Sequence, residues 1–425
     1  MRKMKDSGIE WIGQIPEEWN IYPTKRFFRH TKTLAGEQVD LYERLALTMN
    51  GVIKRSKDDS EGLQPERFDT YQVLRENELV FKLIDLANVK TSRVGLSPYT
   101  GIVSPAYIVL SNQNKDNRFF YYFFMSMYYN EIFNNLGDNG VRSSLNAQDL
   151  LNLPMVSVPV ETQSRIADYL DEKCGEIDRY IEKQQQIIEK LKAYKQAVIT
   201  EAVTKGLDPT APMKDSSIQW IGMIPAHWKQ FKVKQCATTC SGGTPNSNDT
   251  SLYDGGINWV CSFDLMEKEI FSTIKTLTKK GAELIAGELQ QPNSILIAMY
   301  GGAGTIGNSG LLKCEARTNQ AICSIHFNEN IFSPEYAFYH TIFLRKYWMY
   351  YAVGTRKDPN ISQEVIKQMV YACPPIDEQK KIALYLEKKS AEIDETIRKT
   401  QMTIDKLSEY KKSLIYEAVT GKLEV

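Results

Sequence analysis

The sequence has few of the residues and segments that mark several common classes of protein. It contains four histidines and seven scattered cysteines among 425 residues. No apolar stretch approaches the ~20 residues that a membrane-spanning helix needs. The first residues, MRKMKDSGIEWIG, have no apolar core of signal-peptide length. We therefore expect a cytoplasmic protein whose cysteines are free thiols in a reducing compartment.

The residues that support metal-assisted or nucleophilic catalysis are also scarce. Cys236 and Cys240 are the closest cysteine pair, with His227 near them, which leaves a zinc site as an alternative to free thiols. The chain has no G-x4-G-K-[ST] phosphate loop and no Asn-Pro-Pro-aromatic tetrapeptide of the adenine methyltransferase type. We expect no catalytic residues, no metal and no cofactor.

Neither sign of charge is in excess. The 52 lysines and arginines balance the 52 acidic residues, for a formal net charge of zero. This balance argues against indiscriminate nucleic-acid binding over the whole surface. A local basic groove stays possible, because the acidic residues can be concentrated elsewhere.

A glycine motif raises the question of dinucleotide binding. The stretch SILIAMYGGAGTIGNSG (294–310) contains Gly302-x-Gly304-x-x-Gly307 directly after an apolar run. A dinucleotide site also needs a helix that opens at the loop and an acidic residue roughly 20 positions on. The residues that follow form short apolar patches of strand length. They favour a glycine-rich turn between two strands, with the dinucleotide site as the alternative.

Two internal repeats organise the chain. MKDSGIEWIGQIPEEW (4–19) recurs as MKDSSIQWIGMIPAHW (213–228), with 11 of 16 positions identical at an offset of 209. Residues 165–207 match residues 381–423 at an offset of 216. The chain is therefore two copies of one plan, in which a short motif, a variable stretch and a long helical stretch follow one another.

The second repeat has the period of a coiled coil. Apolar residues recur at spacings of three and four, or their sum, at Ile166, Leu170, Ile177, Ile181, Ile188, Leu191, Val198 and Ala202, and again at Ile382, Leu386, Ile393, Ile397, Ile404, Leu407, Leu414 and Ala418. This period predicts two helices of about 40 residues, roughly 60 Å long at 1.5 Å per residue. Lys173 with Lys389, and Gln184 with Thr400, are polar seam positions expected to fix the register.

We expect the two helices to bury these seams on each other as an antiparallel pair that ends near Gly206 and Gly421. A parallel pair would need the connecting segment to run back along the full helix length. Burial of about eight apolar side chains per helix, at ~1.5–3 kcal/mol each before entropy is subtracted, favours the pairing. The pair would be a rigid spacer.

The two variable stretches, about 20–160 and 229–376, show no obvious likeness to each other, but both have the pattern of strand-rich α/β modules. The predicted strands are 71–85, 101–111, 255–265, 293–300 and 321–327, and the predicted aromatic-rich helices are 119–136 and 335–351. The fold class predicted is α/β, with two α/β domains separated by a pair of long antiparallel coiled-coil helices and a pseudo-two-fold internal repeat. The predicted domains are residues 1–160, 161–206 (first long helix), 207–376 and 377–425 (second long helix).

Each variable stretch closes with a basic and polar loop, at 137–150 and at 353–366. Arg142 lies in the first loop and Arg356 with Lys357 in the second, each near a glycine. Arginine and lysine contact phosphates and guanine edges, and Ser, Asn and Gln contact phosphates and adenine. The loops have the composition of DNA-contacting loops, and a solvated charged loop is the alternative.

At this point the sequence resembles a known family, the DNA-specificity subunits of type I restriction-modification systems. The resemblance lies in KDSGIEWIGQIPEEW and KDSSIQWIGMIPAHW, in VPVETQSRIADYLDEKCGEID and CPPIDEQKKIALYLEKKSAEID, and in SGGTPNS and NISQEVI. It covers essentially the whole chain. The sequence departs from it at VPVE (158–161), where the second copy has PPIDE.

The resemblance implies a non-catalytic subunit that reads a bipartite, asymmetric target in double-stranded DNA. Each variable stretch would be a target-recognition domain for one half of the target. The paired helices would hold the halves at a fixed spacing and dock two methyltransferase (modification) subunits, which restriction subunits would join. A self-contained adenine methyltransferase and a coiled-coil adaptor that binds only protein are the alternatives.

Residue type and loop context select the candidate contacts. The expected DNA contacts of the first variable stretch are Lys54, Arg55, Lys90, Ser92, Arg93, Arg142 and Ser143. Those of the second are Ser241, Gly243, Thr244, Tyr300, Gly302, Gly304, Arg317, Asn319, Gln320, Arg356 and Lys357. The expected spacer and partner-binding residues of the helices are Ile177, Ile181, Ile188, Leu191, Ile393, Ile397, Ile404 and Leu407. The glycine loop would approach DNA closely because its backbone is bare.

Overall fold

The structure, a computed structural model, describes residues 2–58, 67–84, 86, 93–136, 144–301, 304–354 and 359–425. Within these ranges no helix is long and apolar enough to cross a membrane. The chain divides into two compact units, unit 1 (Met1–Gln185 with Gln401–Val425) and unit 2 (Gln186–Thr400). Each unit combines a strand-rich part with a portion of each long helix.

Unit 1 is built from short strands and a few helices. Its strands are β1 (Met4–Asp6), β2 (Gln14–Pro16), β3 (Asn20–Pro23), β4 (Arg44–Thr48), β5 (Gly51–Arg55), β6 (Gln72–Leu74), β7 (Leu79–Lys82), β8 (Arg93–Leu96), β9 (Gly101–Val103), β10 (Ile108–Leu110) and β11 (Pro154–Ser157). Its helices are α1 (Arg118–Tyr129), α2 (Ile132–Leu136), α3 (Ala147–Asn152) and the first part of α4 (Val160–Lys205), with 3₁₀ turns at Thr24–Arg26 and Gly36–Leu41.

Two sheets and an aromatic helix form the interior of unit 1. The strand orders are β5-β4-β9-β6 and β10-β7-β8, and only β4 with β9 is a parallel pair among the described strands of these sheets. Helix α1 buries Phe119, Phe120, Phe123 and Phe124 in the core beside β7, β10 and the ends of α4 and α9. The predicted aromatic core helix is therefore confirmed.

Unit 2 has a larger strand-rich part. Its strands are β12 (Met213–Asp215), β13 (Met223–Pro225), β14 (Lys229–Lys232), β15 (Ala237–Ser241), β16 (Tyr253–Val260), β17 (Lys268–Ile270), β18 (Thr276–Leu277), β19 (Ile295–Ala298), β20 (Ser309–Leu312), β21 (Arg317–Thr318), β22 (Ile322–Phe327), β23 (Val353–Gly354), β24 (Pro359–Asn360) and β25 (Val370–Cys373). Its helices are α5 (Val233–Cys236), α6 (Lys279–Leu284), α7 (Pro334–Leu344), α8 (Gln363–Gln368) and the first part of α9 (Ile376–Val419), with 3₁₀ turns at Thr250–Leu252, Ser262–Asp264 and Arg345–Tyr350.

A mixed sheet of order β15-β22-β19-β20-β17 is the centre of unit 2. Strand β17 joins β20 in parallel, and the other pairs of this sheet are antiparallel. A smaller sheet, β18-β16-β21, lies in the same unit. Helix α7 packs on the central sheet and is buried around most of its circumference, which explains its continuous apolar sequence.

The variable stretches share a structural plan that their sequences do not reveal. Strands β19 and β20 and helix α7 begin 216 positions after β7, β8 and α1, the same offset that relates the long helices. The strand order β10-β7-β8 corresponds to β22-β19-β20. Unit 2 differs by adding β15 and β17 at the two edges of this sheet.

Two of the predicted strands are each a pair of strands. Residues 71–85 form β6 and β7, separated by a turn in which Asn77 has a φ of 64°. Residues 101–111 form β9 and β10 around a turn at Ser104–Tyr107. Strands β6 and β9 pair in one sheet, whereas β7 and β10 pair in the other. The polar stretch 75–78 and the Ser104-Pro105 pair thus lie where the chain passes from one sheet to the next.

Both predicted aromatic helices are also interrupted. The segment 119–136 divides into α1 and α2 at Asn130 and Glu131, where Glu131 has a φ of 55°. The segment 335–351 is α-helical only to Leu344 and continues as a 3₁₀ helix over Arg345–Tyr350. The tighter 3₁₀ winding turns Trp348 fully into the core.

The two long helices run antiparallel. In unit 1 the first part of α4 lies beside the last part of α9, where Lys411 Nζ is 2.6 Å from Asp178 Oδ2. In unit 2 the last part of α4 lies beside the first part of α9, where Lys195 Nζ is 2.7 Å from Asp394 Oδ2. Gly206, which follows α4, lies next to the first turn of α9. The predicted direction of pairing is confirmed.

The predicted apolar seam is the buried face of both helices. Ile177, Ile188, Ile393 and Ile404 are 6–8% exposed. The remaining seam residues of the predicted set, Ile181, Leu191, Ile397 and Leu407, are half-buried. The period of the sequence therefore identified the contact face correctly.

The two lysines at polar seam positions, Lys173 and Lys389, form their ion pairs within their own helices. Lys173 pairs with Glu172 and Glu176 on its own helix, and Lys389 pairs with Glu392 on its own helix. Each long side chain reaches along its own helix to an acid within one turn. Charged contacts between the helices include the repeated pairs Asp178–Lys411 and Lys195–Asp394, which are related by the 216-residue offset.

The short repeated motif is a β-hairpin with a buried tryptophan. Strands β1 and β2 pair in unit 1, and β12 and β13 pair in unit 2 with equivalent register. Trp19 lies under Gly421, just after α9, and Trp228 lies under Gly206, just after α4. In unit 1 the side chains of Tyr416 and Lys422 donate hydrogen bonds to Ile12 O, so the motif at one end of the chain holds the other end.

Candidate nucleic-acid interface

In each unit, two of the candidate DNA loops start from a shared point. In unit 1, Leu145 N–H donates to Leu83 O at 3.1 Å, beside a bridge between Ile84 and Ser144. In unit 2, Ile361 N–H donates to Met299 O at 2.8 Å, beside a bridge between Tyr300 and Asn360. Each residue of the second set lies 216 positions after its counterpart in the first. The turn after the central strand and the basic loop of the variable stretch are therefore neighbours in both units.

Seven of the expected contact residues belong to these loops and lie outside the described residues. They are Lys90, Ser92, Arg142, Ser143, Gly302, Arg356 and Lys357. Their role as DNA contacts stays a prediction.

Unit 2 brings together three segments of the expected interface. Gly243 N–H donates to Thr318 O at 3.0 Å, the Thr244 hydroxyl donates to the side-chain oxygen of Gln320, and the Gln320 side chain lowers the pKa of Tyr300. A Cβ on the neighbouring Gly242 would lie 1.8 Å from Thr318 O, so only glycine permits this approach. The structure thus places residues 241–244 beside Tyr300 and residues 317–320, and their role as DNA contacts stays a prediction.

The members of this group differ in what they offer to a ligand. Thr244 and Gln320 are exposed. Arg317 donates to Gly287 O, and Asn319 Oδ1 accepts from Ala321 N–H at 3.0 Å, so both side chains hold local backbone. Hydroxyl and amide groups at an exposed surface are suited to reading base edges or holding phosphates. Thr244 and Gln320 are the best-placed members of the set.

The glycine loop is a turn between two antiparallel strands, β19 and β20. Gly307 has a φ of 78°, and a Cβ there would lie 2.4 Å from Trp348 Cδ1. The chain continues from Gly307 into β20, so no helix N-terminus is available at this loop for a pyrophosphate. The predicted glycine turn is confirmed. Arg345 holds the turn through Gly304 O at 3.3 Å and Glu267 Oε1 at 2.5 Å.

Unit 1 gathers arginines around a tyrosine. Burial raises the pKa of the Tyr107 hydroxyl. The positive charges of Arg93, Arg44 and Arg55 lower it, which offsets part of the rise. Arg44 and Arg55 face each other across β4 and β5. Arg93 Nε is buried without a hydrogen-bond partner among the described residues. Arg44 also donates to Ser56 O at 3.4 Å.

Sequence reasoning found Arg55 and Arg93 but missed Arg44 and Tyr107. Arg44 is only 7% exposed, and its guanidinium lies over Phe68 at 5.4 Å. The signal in the sequence was an arginine within the apolar strand ERLALT, since a buried cation needs a partner. Lys54, on the same hairpin, is 2.5 Å from Glu43 Oε2, and this hydrogen bond raises the pKa of Lys54.

Five of the seven cysteines are buried and the other two are half-buried. All seven are free, as expected. Burial raises the pKa of the Cys236 and Cys323 thiols to about 12, which keeps them protonated and unreactive at neutral pH. Among the residues that the structure describes, no group of three or more His, Cys, Asp or Glu residues could hold a metal ion.

Comparisons with known proteins agree over the length of the chain. A family model described as "Type I restriction modification DNA specificity domain" matches residues 225–403. A protein of Methanocaldococcus jannaschii, named as a MjaX type I restriction enzyme specificity subunit, is 21% identical over 449 residues, covering 97% of this chain and 96% of that protein. The type I restriction enzyme EcoBI specificity subunit of Escherichia coli is 24% identical over 335 residues, covering 73% and 67%.

A solved structure extends the likeness to three dimensions. It is described as "Structural basis underlying complex assembly and conformational transition of the type I R-M system", and its matching chain has a TM-score of 0.70 at 13% identity. The match covers 96% of this chain and 99% of that chain. At this identity the likeness shows a shared fold.

Proposed function

We propose, because the chain belongs to the family of DNA-specificity subunits of type I restriction-modification systems, that it selects the DNA target of such a complex. The target is double-stranded, bipartite and asymmetric. The strand-rich part of unit 1 reads one half and that of unit 2 reads the other. The chain itself catalyses no reaction.

The observation that carries this proposal is the repeated pairing of loops at Ile84–Ser144 and at Tyr300–Asn360. The same framework presents different side chains in the two units. In unit 1 the charges of Arg44, Arg55 and Arg93 all lower the pKa of Tyr107, whereas in unit 2 the neutral side chains of Thr244 and Gln320 are exposed. An asymmetric two-part target requires two binding surfaces that differ in their side chains, and the shared framework of the two units provides them.

The long helices supply the second half of the function. They set the spacing of the half-sites and dock two methyltransferase subunits, and restriction and translocase subunits join the full complex in the cytoplasm. In this scheme residues 1–160 and 207–376 are the target-recognition domains, and residues 161–206 and 377–425 are the spacer helices.

Methylation-site sequencing of cells that make the chain with its methyltransferase subunit tests the proposal. We expect methylated bases in a two-part, non-palindromic sequence with an unspecified spacer. Arg55→Ala with Arg93→Ala should relax one half of the target, and Thr244→Ala with Gln320→Ala should relax the other half, because each pair belongs to a different unit. A continuous palindrome, or one half-site altered by both variants, would contradict the proposal.

A further inference from the structure

A groove of unit 2 lies beside the exposed pair of Thr244 and Gln320. Its volume is about 390 Å³, and its lining residues are Thr244, Ser247, Thr250, Tyr253, Asp254, Trp259 and Lys275. We name it the β16 groove, because Tyr253 and Trp259 belong to strand β16. Thr244 lines this groove and also bonds to Gln320, so the groove continues the candidate DNA surface of unit 2.

Strand β16 joins the groove to the rest of that surface. The Trp259 indole donates to Gly243 O at 3.2 Å, and the Tyr253 hydroxyl donates to Pro245 O at 3.0 Å. Both aromatic side chains thus hold the segment that carries the groove hydroxyls. Strand β16 also pairs in parallel with β21, the strand that leads into the turn with Gln320. One strand therefore positions both the groove and the neighbouring candidate contacts.

A β-bulge of β16 places Asp254 in the lining of the groove. Tyr253 and Ile257 both pair with Leu277 of β18, so the register shifts across residues 254–256. Asp254 has a φ of 59°. A bulge changes the direction in which a side chain points, and aspartate is one of the few residues that tolerate such a φ. The Asp254 side chain is exposed and forms no hydrogen bond or ion pair with the residues that the structure describes.

The β16 groove presents one negative and one positive group that are not paired with each other. Lys275 is exposed, its ammonium lies 5.9 Å from the Phe263 ring, and within the described ranges it forms no ion pair. The groove thus offers a hydrogen-bond acceptor in Asp254 and a donor in Lys275. In the major groove of DNA, a C·G base pair presents the matching pattern, with a donor at cytosine N4 and acceptors at guanine O6 and N7.

We propose that the β16 groove reads a C·G base pair in the half-site of unit 2, with Asp254 accepting from cytosine N4 and Lys275 donating to guanine O6 and N7. The inference rests on the proposed function, which supplies the double-stranded DNA. Adenine suits Asp254 less, because its N7 acceptor lies beside the N6 donor and repels the second carboxylate oxygen. The exposed hydroxyls of Ser247 and Thr250 suit the phosphates that adjoin the base pair.

Methylation-site sequencing of cells that make the full chain with its methyltransferase subunit tests the inference. The half-site that Thr244→Ala with Gln320→Ala relaxes should contain a C·G base pair. Asp254→Asn should reduce the preference for this pair over the other three by about fivefold to a hundredfold, because asparagine favours adenine through N6 and N7. Asparagine also tolerates a positive φ, so the bulge is retained. Lys275→Ala should relax the same base pair to a similar degree.

Two matched controls lie outside the lining of the groove. Asp249→Asn changes an acid of the same segment whose side chain accepts from Ser251 N–H at 3.1 Å, a bond that asparagine retains. Lys268→Ala removes an exposed lysine of β17. Both variants should leave every position of the target unchanged.

Three results would overturn the inference. The first is that Asp254→Asn and Lys275→Ala unfold at the wild-type temperature and keep the wild-type base preferences. The second is that Lys275→Ala lowers methylation equally at all targets without relaxing a position, which would assign the lysine to a phosphate. The third is relaxation of the half-site read by unit 1. Failure of the proposed function would look different, because cells with the wild-type chain would then show no two-part methylated target.

Discussion

At the scale of single residues, two glycines of the β19–β20 loop, Gly304 and Gly307, have different roles. Gly307 combines a φ of 78° with a Cβ position 2.4 Å from the buried Trp348, whereas Gly304 has no atom within 4 Å of its Cβ position. Gly307→Ala should therefore destabilise the protein by about 2–4 kcal/mol through backbone strain and a clash with the indole.

Gly304→Ala is the matched control and should change the free energy of unfolding by less than about 0.5 kcal/mol. Urea unfolding followed by tryptophan fluorescence measures both, since Trp348 lies at the site of the clash. Equal destabilisation by the two substitutions would show that the left-handed turn at Gly307 is not needed.

His340 makes the stability of unit 2 depend on pH. It is fully buried, stacks on Tyr371 at 4.4 Å and accepts the Ala372 N–H at 3.1 Å through Nε2. Burial lowers the pKa of His340 from 6.5 to about 3. Between these two values His340 is protonated in the unfolded chain but neutral in the folded chain. The free energy of unfolding is therefore highest above pH 6.5 and decreases as the pH falls towards 3. The slope in this window is at most about 1.4 kcal/mol per pH unit.

His340→Gln keeps an acceptor for Ala372 N–H and cannot titrate. Relative to wild type it should lose less free energy of unfolding between pH 7.5 and pH 5, by up to about 2 kcal/mol. His326→Gln, at an exposed position of β22, is the control and should follow the wild-type curve. Parallel pH curves for wild type and His340→Gln would rule out this origin of acid sensitivity.

At the scale of elements, the long helices are held by the apolar seam far more than by charge. Ile177 is 8% exposed, while its neighbour Asp178 forms an ion pair whose acid is 57% exposed. Ile177→Ala should destabilise the protein by about 2–4 kcal/mol, because it leaves a cavity in the seam. Asp178→Ala should cost less than about 1 kcal/mol, because an exposed pair is screened by water and salt.

Thermal and urea unfolding of the two variants compare neighbouring positions on one helix. A double-mutant cycle with Lys411→Ala isolates the energy of the ion pair, which should fall further at high salt. If Asp178→Ala proves as destabilising as Ile177→Ala, charge rather than apolar burial sets the pairing of the helices.

Elements were predictable from the sequence only as far as a local pattern fixes them. The helical period gave α4 and α9 and their contact face, because side chains three and four positions apart share one side of a helix whatever surrounds it. The segments 71–85 and 101–111 each have the length of one long strand, but Asn77 and the Ser104-Pro105 pair are turn residues that divide them. Their division between two sheets depends on which distant strand each half meets.

At the scale of the whole molecule, the proposed function ties the length of the helices to the spacing of the target. Adding seven residues to α4 between Glu172 and Ala202, with a matching heptad opposite in α9, lengthens the pair by ~10 Å. The preferred spacer should lengthen by about three base pairs at ~3.4 Å per step, and both half-sites should stay unchanged.

Methylation-site sequencing with this variant measures the spacer directly. The control replaces exposed residues over the same span of α4 without changing its length, and should keep the wild-type spacer. If the complex with the lengthened helices still methylates only targets with the wild-type spacer, the helices do not set the spacing of the half-sites.

The sequence by itself determined the repeats, the two long helices, the glycine turn and the resemblance to a known family, because each depends on local periods or on motifs of adjacent residues. Only the tertiary structure decided that β7, β8 and α1 correspond to β19, β20 and α7, that Arg44 joins Arg55 and Arg93 near Tyr107, and that Asp254 and Lys275 line one groove in unit 2. These features arise from contacts between residues far apart in the chain. Such contacts depend on sheet pairing and burial, which no short stretch of sequence encodes.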